Sequence, residues 1–409
     1  MTQVTRFTSW HFWTAFCPTS DYDLATLTKI SQSLDAQKVG RHRLLYEHCD
    51  FRIAIREEPS VLKGLKLASV LAAATLALAA CSSGGTTAGS TSPTAATSSV
   101  KVGMAYDQDG KGDGSFNDAA YAGLSKAQKD LGVQIKEVNS GASATDASRE
   151  ELLTLLADGG YNPIIAVGFA YSTALGNVAV KYPKTTFAIV DSVVDAPNVG
   201  SLVFAAEQGS YLTGVIAASA SKTGHIGFIG GMEIDLIKAF EAGYIQGAKS
   251  INPDIKIDSK YMGAAGDNTA WNVPEKAKTA TDGMIANGAD VIYAAAGGSG
   301  LGMFQSVKAA GKGHWAIGVD SDQYNVPALA EYKDFILTSM MKRVDVAVFD
   351  VIKGVVDGAP LVGVNNFDLS KDGVGYSSSN PAVKSYTAAA DAAAAKIKSG
   401  EVVVGTKVQ

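Results

Sequence analysis

The residues with the clearest chemical potential are charged side chains that follow apolar, strand-like runs. Asp107 ends the run KVGMAYD, Asp191 ends FAIVD, Asp320 ends WAIGVD, and Lys342 follows ILTSMM. Carboxylates only accept hydrogen bonds, so several of them at one sheet edge would suit a polar ligand rich in N–H and O–H donors. Each aspartate could instead cap the helix that follows it, because Asp is a favoured N-cap residue.

Two aromatic residues lie beside polar segments. Phe116 follows acids and glycines in DQDGKGDGSFND, and Trp271 lies in GDNTAWNVPEKAK. Phe116 also continues an apolar stripe in the helix predicted for Ser115–Leu131, with Ser115 as its N-cap, so it could be a core residue. Trp271 lies outside any apolar stripe, which favours an exposed or ligand-facing side chain.

A glycine-rich segment, GGSGLG, begins at Gly297 and Gly298 after another strand-like run. It departs from the G-x-G-x-x-G pattern of dinucleotide-binding loops, because the third glycine position counted from Gly298 is Met303. We predict instead a loop that allows close approach of a ligand and offers backbone N–H groups at a helix start.

These positions need a framework that brings strand ends together. Apolar runs alternate with helical patterns from Val100 onward, which predicts an α/β fold with parallel sheets covered by helices on both faces. The predicted strands are 100–106, 133–139, 163–168, 185–191, 200–205, 225–231, 255–261, 290–296, 315–320 and 335–340. The predicted helices are 115–131, 145–158, 207–220, 233–250, 273–287, 299–310 and 343–356.

So many strands favour two lobes over one sheet. We predict lobe 1 over 100–213 plus about 334–358, and lobe 2 over 214–333 plus about 359–409. The last thirty or so residues, from Asn380, have the pattern of a helix followed by a short strand. In open parallel sheets, ligands bind at the carboxyl ends of the strands, so the polar positions above are candidate binding residues.

The segment VLKGLKLASVLAAATLALAACSSGG has the form of a secretory signal. Lys63 and Lys66 precede an apolar run, and small residues then lead to Cys81. The end of the segment resembles a bacterial lipobox, in which the cysteine is lipidated and becomes the mature N-terminus. The run is short for a transmembrane helix. We predict a lipoprotein signal peptide over 61–80, lipidation of Cys81, and attachment to the extracytoplasmic face of the cell membrane.

The segments on either side of this signal receive their own predictions. Residues 1–60 are predicted to be a non-native upstream extension, with translation starting near Val61. Residues 81–99 are rich in Ser, Thr and Gly, which predicts a flexible tether between the lipid and the folded part.

Composition excludes several function classes. The 409 residues are 46% apolar with a formal net charge of −5, and the cations are scattered, so no nucleic-acid binding is expected. After processing, Cys81 would be the sole cysteine, and His225 and His314 the remaining histidines. This disfavours a disulfide and a zinc or haem site, and we expect neither a metal nor a cofactor.

Six segments resemble, in order and spacing, the purine nucleoside receptor A-like family, also called basic membrane protein lipoproteins, which are substrate-binding subunits of ABC transporters. The segments are DQDGKGDGSFND, FAIVDSVV, HIGFIGGMEIDLIKAFEAGYIQGAK, YAAAGGSGLG, WAIGVDSDQ and ILTSMMKRVD. The resemblance covers about Val100 to the C-terminus. It implies a type I periplasmic-binding fold, with two doubly wound lobes, three hinge crossovers and a ligand cleft at the hinge.

The resemblance also implies roles for residues that contact the base of a nucleoside. Phe116 from the first lobe and Trp271 from the second would stack on its two faces. Asp191, with Asp107 and Asn117 nearby, would accept hydrogen bonds from base donors. The family often has Phe where this sequence has Trp271, and the larger indole should still stack.

For the sugar, the resemblance implies that Asp320 accepts hydrogen bonds from the ribose hydroxyls. Lys342 and the backbone of Gly297–Gly298 would support it. One further departure is that the family's EGS element is EQGS here, with Glu207 one place early, so any structural role of that glutamate is not expected to transfer.

We therefore predict a monomeric, non-enzymatic, lipid-anchored receptor that captures a purine nucleoside (guanosine, inosine or adenosine) and delivers it to an ABC transporter permease. One alternative is a sugar or autoinducer receptor on the same fold, and another is a lipoprotein that feeds a sensor. A nucleoside hydrolase is a third, although the sequence has no catalytic triad and no dense metal-ligand spacing.

Overall fold

The computed structural model describes residues 98–108 and 110–408, all within one compact unit. The predicted upstream extension (1–60), the signal peptide (61–80), Cys81 and the tether as far as residue 97 lie outside the described residues.

Apolar runs form strands wherever they were expected, because β-branched and aromatic residues suit a buried sheet. The strands are β1 (Lys101–Tyr106), β2 (Gln134–Asn139), β3 (Ile164–Val167), β4 (Phe187–Val190), β5 (Val199–Phe204), β6 (His225–Met232), β7 (Lys256–Gly263), β8 (Val291–Ala295), β9 (Trp315–Asp320), β10 (Ile336–Lys342), β11 (Gly363–Phe367) and β12 (Val374–Tyr376). The last two are short and partly polar, and the sequence patterns did not predict them.

The strands form two six-stranded sheets, and each sheet is the centre of one lobe. The strand order is β11-β5-β4-β3-β1-β2 in lobe 1 and β12-β10-β9-β8-β6-β7 in lobe 2. Within the described residues the paired strands run parallel except for β12, which is antiparallel to β10. The two-lobed α/β architecture of a type I periplasmic-binding fold is thus confirmed.

Helices cover both faces of each sheet. They are α1 (Phe116–Leu131), α2 (Asp146–Asp158), α3 (Ser172–Ala179), α4 (Ala206–Ala220), α5 (Asp235–Ile251), α6 (Pro274–Ala286), α7 (Gly300–Ala310), α8 (Val344–Val356) and α9 (Thr387–Lys398). In lobe 1 the buried apolar side chains of α1 and α8 pack on one face and those of α2 and α3 on the other. In lobe 2 α4, α5 and α9 share one face, and α6 and α7 the other.

The chain end differs from its prediction. Helix α9 forms as expected, but the short strand predicted after it is wrong, because residues 399–408 contain no strand. Val402 and Val404 pack against the lobe 2 core. The backbone of Gly405 bonds to the side-chain amide of Gln246, at 2.8 and 2.9 Å, in place of a neighbouring strand.

The lobe boundaries predicted from sequence are also wrong. Strand β10 was assigned to lobe 1 but pairs with β9 and β12 in lobe 2, and β11 was assigned to lobe 2 but pairs with β5 in lobe 1. Helix α4 packs along its length on the lobe 2 core. Within the described residues the chain crosses between lobes at Ala205, at Arg343 and between Phe367 and Val374.

Candidate ligand-binding site

A cavity of about 330 Å³ lies between the lobes, at the carboxyl ends of the strands of both sheets. Its volume is in the range of small-molecule sites. The nine residues that the sequence analysis proposed for ligand binding all line it: Asp107, Phe116, Asn117, Asp191, Trp271, Gly297, Gly298, Asp320 and Lys342. The fold thus brings together residues that are up to 235 positions apart, from Asp107 to Lys342 (342 − 107), as expected for the carboxyl ends of parallel strands.

The cavity also has lining residues that the sequence analysis did not propose. Phe169 directly follows Gly168, the first residue after β3, so the rule that ligands bind at strand ends could have pointed to it. Three further lining residues are apolar side chains of α5, and an apolar residue on a helix gives no sequence signal that separates a cavity wall from the core. The unproposed lining residues include Gln108, Phe169, Leu236, Ile237, Phe240 and Asn272.

Phe116 is the first residue of α1, and an acidic turn sets its position. Asp113 accepts hydrogen bonds from the backbone N–H groups of Ser115 and Asn117, both at 2.9 Å, and of Asp118 at 3.2 Å. Ser115 occupies the N-cap position as predicted, but its side chain makes no capping hydrogen bond, and Asp113 accepts the N–H groups of the first turn instead. Phe116 is half-buried: it contacts the lobe 1 core, as its place on the apolar stripe predicted, and it also lines the cavity.

Trp271 enters the cavity from lobe 2, in the short 3-10 segment Asn268–Trp271. The indole lies over the end of β6, where a Cβ on Gly231 would be 2.3 Å from its Cζ3. Its ring centroid is 6.4 Å from that of Phe169 in lobe 1, at an interplanar angle of 63°. Glycine at 231 is thus what allows the indole to lie this close to the strand.

Replacing Gly231 with alanine should displace the indole, because the added methyl group would overlap the ring. We expect affinity for an aromatic ligand to fall by about tenfold, the loss of most of one stacking contact. Isothermal titration calorimetry of the full chain measures the effect. Gly375→Ala is the matched control, since a Cβ there meets no atom within 4 Å. Equal affinities of the two variants would contradict this account of Gly231.

Asp191 and Lys342 form a buried ion pair that joins the lobes. The Lys342 Nζ contacts Asp191 Oδ2, and the two side chains are only 3% and 6% exposed. The same ammonium lies 4.8 Å from the ring centroid of Phe116, 5.2 Å from Phe204 and 5.6 Å from Phe240. Cation–π attraction therefore adds to the ion pair. Asp191 Oδ1 has no hydrogen-bond partner among the described residues.

Asp320 occupies the place in lobe 2 that Asp191 occupies in lobe 1, directly at the end of the equivalent strand. Both have left-handed backbone conformations, with φ of 64° and 65°, which aspartate tolerates better than most residues. Asp320 Oδ2 accepts a hydrogen bond of 2.7 Å from the Ser115 hydroxyl. Burial raises the pKa of Asp320 to about 6, although Lys342 and Ser115 oppose that rise.

Further hydrogen bonds join the lobes beside Phe116. The Ser321 hydroxyl donates to the carbonyl of Ser115, and the Gln323 amide donates to the carbonyl of Gly114, both at 2.9 Å. Because these contacts flank the first turn of α1, the position of Phe116 depends on the relative position of the two lobes.

The other proposed binding residues in the cavity lining are Asp107, Asn117, Gly297 and Gly298. Asp107 Oδ1 accepts a 2.8 Å hydrogen bond from the Gln108 N–H, and burial raises the pKa of Asp107. The buried Asn117 lines the cavity beside it. Gly297 and Gly298 come before α7, and a Cβ on either would lie within 3.6 Å of the Trp271 carbonyl. The loop predicted for close approach therefore also accommodates the tryptophan segment.

Across residues 98–108 and 110–408, no group of three or more His, Cys, Asp or Glu side chains is arranged to hold a metal ion. In the same part of the chain, no helix has the length and apolarity needed to cross a membrane.

Comparisons with a family model and with known relatives agree on one family. The model of the family "ABC transporter substrate-binding protein PnrA-like" matches residues 100–407. The chain is 37% identical over 298 residues to the ABC transporter nucleoside-binding protein BmpA of Lactococcus lactis subsp. cremoris, which covers 67% of this chain and 80% of that protein. It is 36% identical over 297 residues to an uncharacterized lipoprotein of Pyrococcus horikoshii, with 68% and 69% covered.

Among solved structures, an ABC transporter system solute-binding protein from Aeropyrum pernix K1 superposes with a TM-score of 0.66 at 28% identity. The superposition covers 76% of this chain and 94% of that one.

Proposed function

The chain belongs to the PnrA-like family of ABC transporter substrate-binding proteins, and from that premise we propose that it captures purine nucleosides in the cavity between its lobes and delivers them to a membrane permease. The observation that supports this most is the pairing of one half-buried aromatic ring from each lobe, Phe116 and Trp271, in a cavity that also holds buried carboxylates. The name of the Lactococcus lactis relative, a nucleoside-binding protein, agrees.

In this proposal the base stacks between Phe116 and Trp271. Stacking of a base on an aromatic side chain contributes about 1–3 kcal/mol. Since the rings belong to different lobes, a base can contact both only when the lobes are together, and binding then favours that arrangement. Asp191, Asp107 and Asn117 accept hydrogen bonds from N–H donors at the edge of the base.

The ribose hydroxyls donate to Asp320, and the N–H groups of Gly297 and Gly298 contribute donors. Without these hydroxyls, the Asp320 carboxylate would have lost solvation in the closed cavity and kept only the Ser115 hydroxyl as a hydrogen-bond donor among the described residues. We therefore expect ribonucleosides to bind at least tenfold tighter than the corresponding free bases.

Calorimetric titration of the full chain with inosine, guanosine, adenosine, guanine and ribose tests the proposal. We expect nucleosides to bind tightest, with guanine and ribose both weaker. Ribose binding as tightly as the nucleosides would support a sugar receptor instead.

We also propose that the protein is a monomer and that it has no catalytic activity. Without catalysis, the nucleoside should be recovered intact after long incubation. Released free base would indicate a hydrolase.

Binding should depend on pH through Asp320. Its pKa of about 6 is above the ordinary value for aspartate, so the carboxyl is ionised at pH 7 and largely protonated at pH 5. Hydroxyl donors stabilise the ionised form, so ligand binding releases a proton below pH 6 and weakens as the pH falls. If only the ionised form binds, affinity drops about tenfold from pH 7 to pH 5.

The measurement is nucleoside affinity by calorimetry from pH 5 to pH 8. Burial also raises the pKa of Asp107 and of Asp113, so the Asp320→Asn variant assigns the effect: its affinity should be lower but much less dependent on pH. A wild-type affinity that stays constant between pH 5 and pH 7 would rule out this role for Asp320.

We further propose that Cys81 carries the lipid anchor and holds the receptor on the extracytoplasmic face of the cell membrane. The lipoprotein name of the Pyrococcus horikoshii relative supports this. Mass spectrometry of the membrane-extracted native protein should find an acylated N-terminal Cys81. Its replacement by alanine should release the protein from membranes, and retention on the membrane would contradict the anchor.

A further inference from the structure

A buried arginine lies behind the cavity, and the proposed binding contacts do not use it. Arg149 is in α2 and is only 4% exposed. It shares the buried face of that helix with Leu153 and Leu156. Burying a guanidinium is costly unless it has a charged partner, so its presence on a core-facing stripe requires an explanation.

The partner is a carboxylate of the cavity. Arg149 Nη2 lies 3.7 Å from Asp107 Oδ1, and the guanidinium Cζ lies 5.7 Å from the centre of the Tyr171 ring. The Tyr171 hydroxyl donates to the carbonyl of Tyr106, 2.9 Å away, which keeps that ring in place at the end of β1. The ring and the carboxylate together determine where the guanidinium lies.

The contact is mainly electrostatic. Within the described residues, Arg149 Nε and Nη2 have no hydrogen-bond partner. The other ion pair, from Nη1 to Asp146 at 3.7 Å, involves a carboxylate that is 55% exposed and therefore weakly coupled. Asp107 is the one buried anion within ion-pair distance of Arg149 in the described part of the chain.

Gly168 also limits the space around the Asp107 carboxylate. A Cβ on Gly168 would lie 3.1 Å from Asp107 Oδ2, so a larger residue there would contact the carboxylate. Asp107 also lines the cavity, whereas Arg149 is not among the lining residues. Asp107 is therefore the cavity-lining residue with which Arg149 forms an ion pair.

We propose that Arg149 is a positioning residue for ligand specificity: it holds Asp107 in place as an ionised acceptor, and the cavity consequently prefers purine nucleosides whose base carries an N–H donor at its edge. This inference rests on the proposed function. In this inference, the preference for a base with an N–H donor depends on the Arg149 guanidinium, which does not contact the ligand.

Other charged and titratable groups around Asp107 do not replace Arg149 in this role. Burial raises the pKa of Tyr171 to about 12, so the phenol is neutral at pH 7. Asp146 faces the guanidinium from the surface. Lys111 and Asp113 line the same cavity. Lys111 forms an ion pair with Glu137, and the Asp113 carboxylate accepts hydrogen bonds from the N–H groups at the start of α1.

The experiment compares inosine with purine riboside, which has no N–H donor at the base edge. For the wild type, we expect inosine to bind more tightly. Arg149→Met should weaken inosine binding by about tenfold at pH 7. The reason is that the N–H donor of the base would no longer meet an ionised Asp107 carboxylate held in place. Purine riboside binding should change less than threefold. Lys181→Met, which removes an exposed lobe 1 cation paired with Glu150, should leave both affinities unchanged.

Three further variants separate positioning from a merely structural role. Arg149→Lys keeps the charge and should recover most of the inosine preference, whereas Arg149→Gln should lose it. In an Asp107→Asn background, Arg149→Met should have no further effect on the preference. Carboxyl NMR of Asp107 in the ligand-free protein should show its titration about one pH unit or more higher in Arg149→Met.

The outcomes distinguish this inference from the proposed function. If the wild type binds no nucleoside, both are overturned. If the wild type prefers inosine and Arg149→Met, folded by circular dichroism, has the same preference, only the role of Arg149 is overturned. Should Arg149→Met not fold, the Lys and Gln variants decide, and equal inosine preferences of those two would contradict the inference.

Discussion

Replacing Lys342 with methionine is expected to lower the free energy of unfolding by about 3–5 kcal/mol, because it leaves the buried Asp191 carboxylate without its cation. Methionine preserves most of the side-chain volume, so a packing defect contributes little. Urea denaturation of the full chain, followed by circular dichroism at pH 7, measures the loss.

The double variant Asp191→Asn with Lys342→Met is the critical comparison. Since it removes both buried charges, we expect it to recover much of the stability that the single variant loses. Lys353→Met is the surface control: its pair with Asp357 is about half exposed, and removing it should cost less than about 1 kcal/mol. A Lys342→Met variant no less stable than this control would show that the ion pair does not contribute as we describe.

Removing both aromatic rings is expected to have the largest effect on binding. Alanine at Phe116 and at Trp271 should each cost about 1–3 kcal/mol of nucleoside affinity, and the double variant about 2–6 kcal/mol, which is at least a thirtyfold loss. The physical reason is that each ring offers one flat apolar face to the base, and both faces of the base are then exposed to water. Calorimetric titration with inosine measures the three affinities.

Trp315→Phe is the matched control for this experiment. Trp315 is half-buried at the start of β9, the opposite end of that strand from Asp320, and is not among the cavity-lining residues. It should bind inosine as the wild type does. If the Phe116 and Trp271 single variants also retain wild-type affinity while the protein binds inosine, the base is bound elsewhere.

Local patterns were sufficient to predict much of this molecule. Apolar runs and helical periodicity predicted β1 to β10 and most of the helices, since burial leaves a direct trace in the residue types along the chain. The rule that ligands bind at strand carboxyl ends then selected lining residues correctly. Phe169 and the α5 side chains were missed because an apolar residue at a cavity wall has the same pattern as one in the core.

Arg149 is a residue that the sequence could have revealed. It interrupts the buried stripe that continues through Leu153 and Leu156, and a charge at a core-facing position is an uncommon signal. Its partner could not be inferred, because Asp107 is 42 positions away (149 − 107) on a different element.

What the sequence determined by itself is the set of elements and the chemistry at their ends, because both depend on neighbours along the chain. Only the tertiary structure decided which elements share a sheet and which charges meet. Strand β10 has the same apolar pattern as a lobe 1 strand, yet it pairs in lobe 2, and Lys342 meets Asp191 across 151 positions. The physical reason is that strand pairing and lobe contact are long-range choices: they minimise the free energy of the whole packed chain, and no local pattern records them.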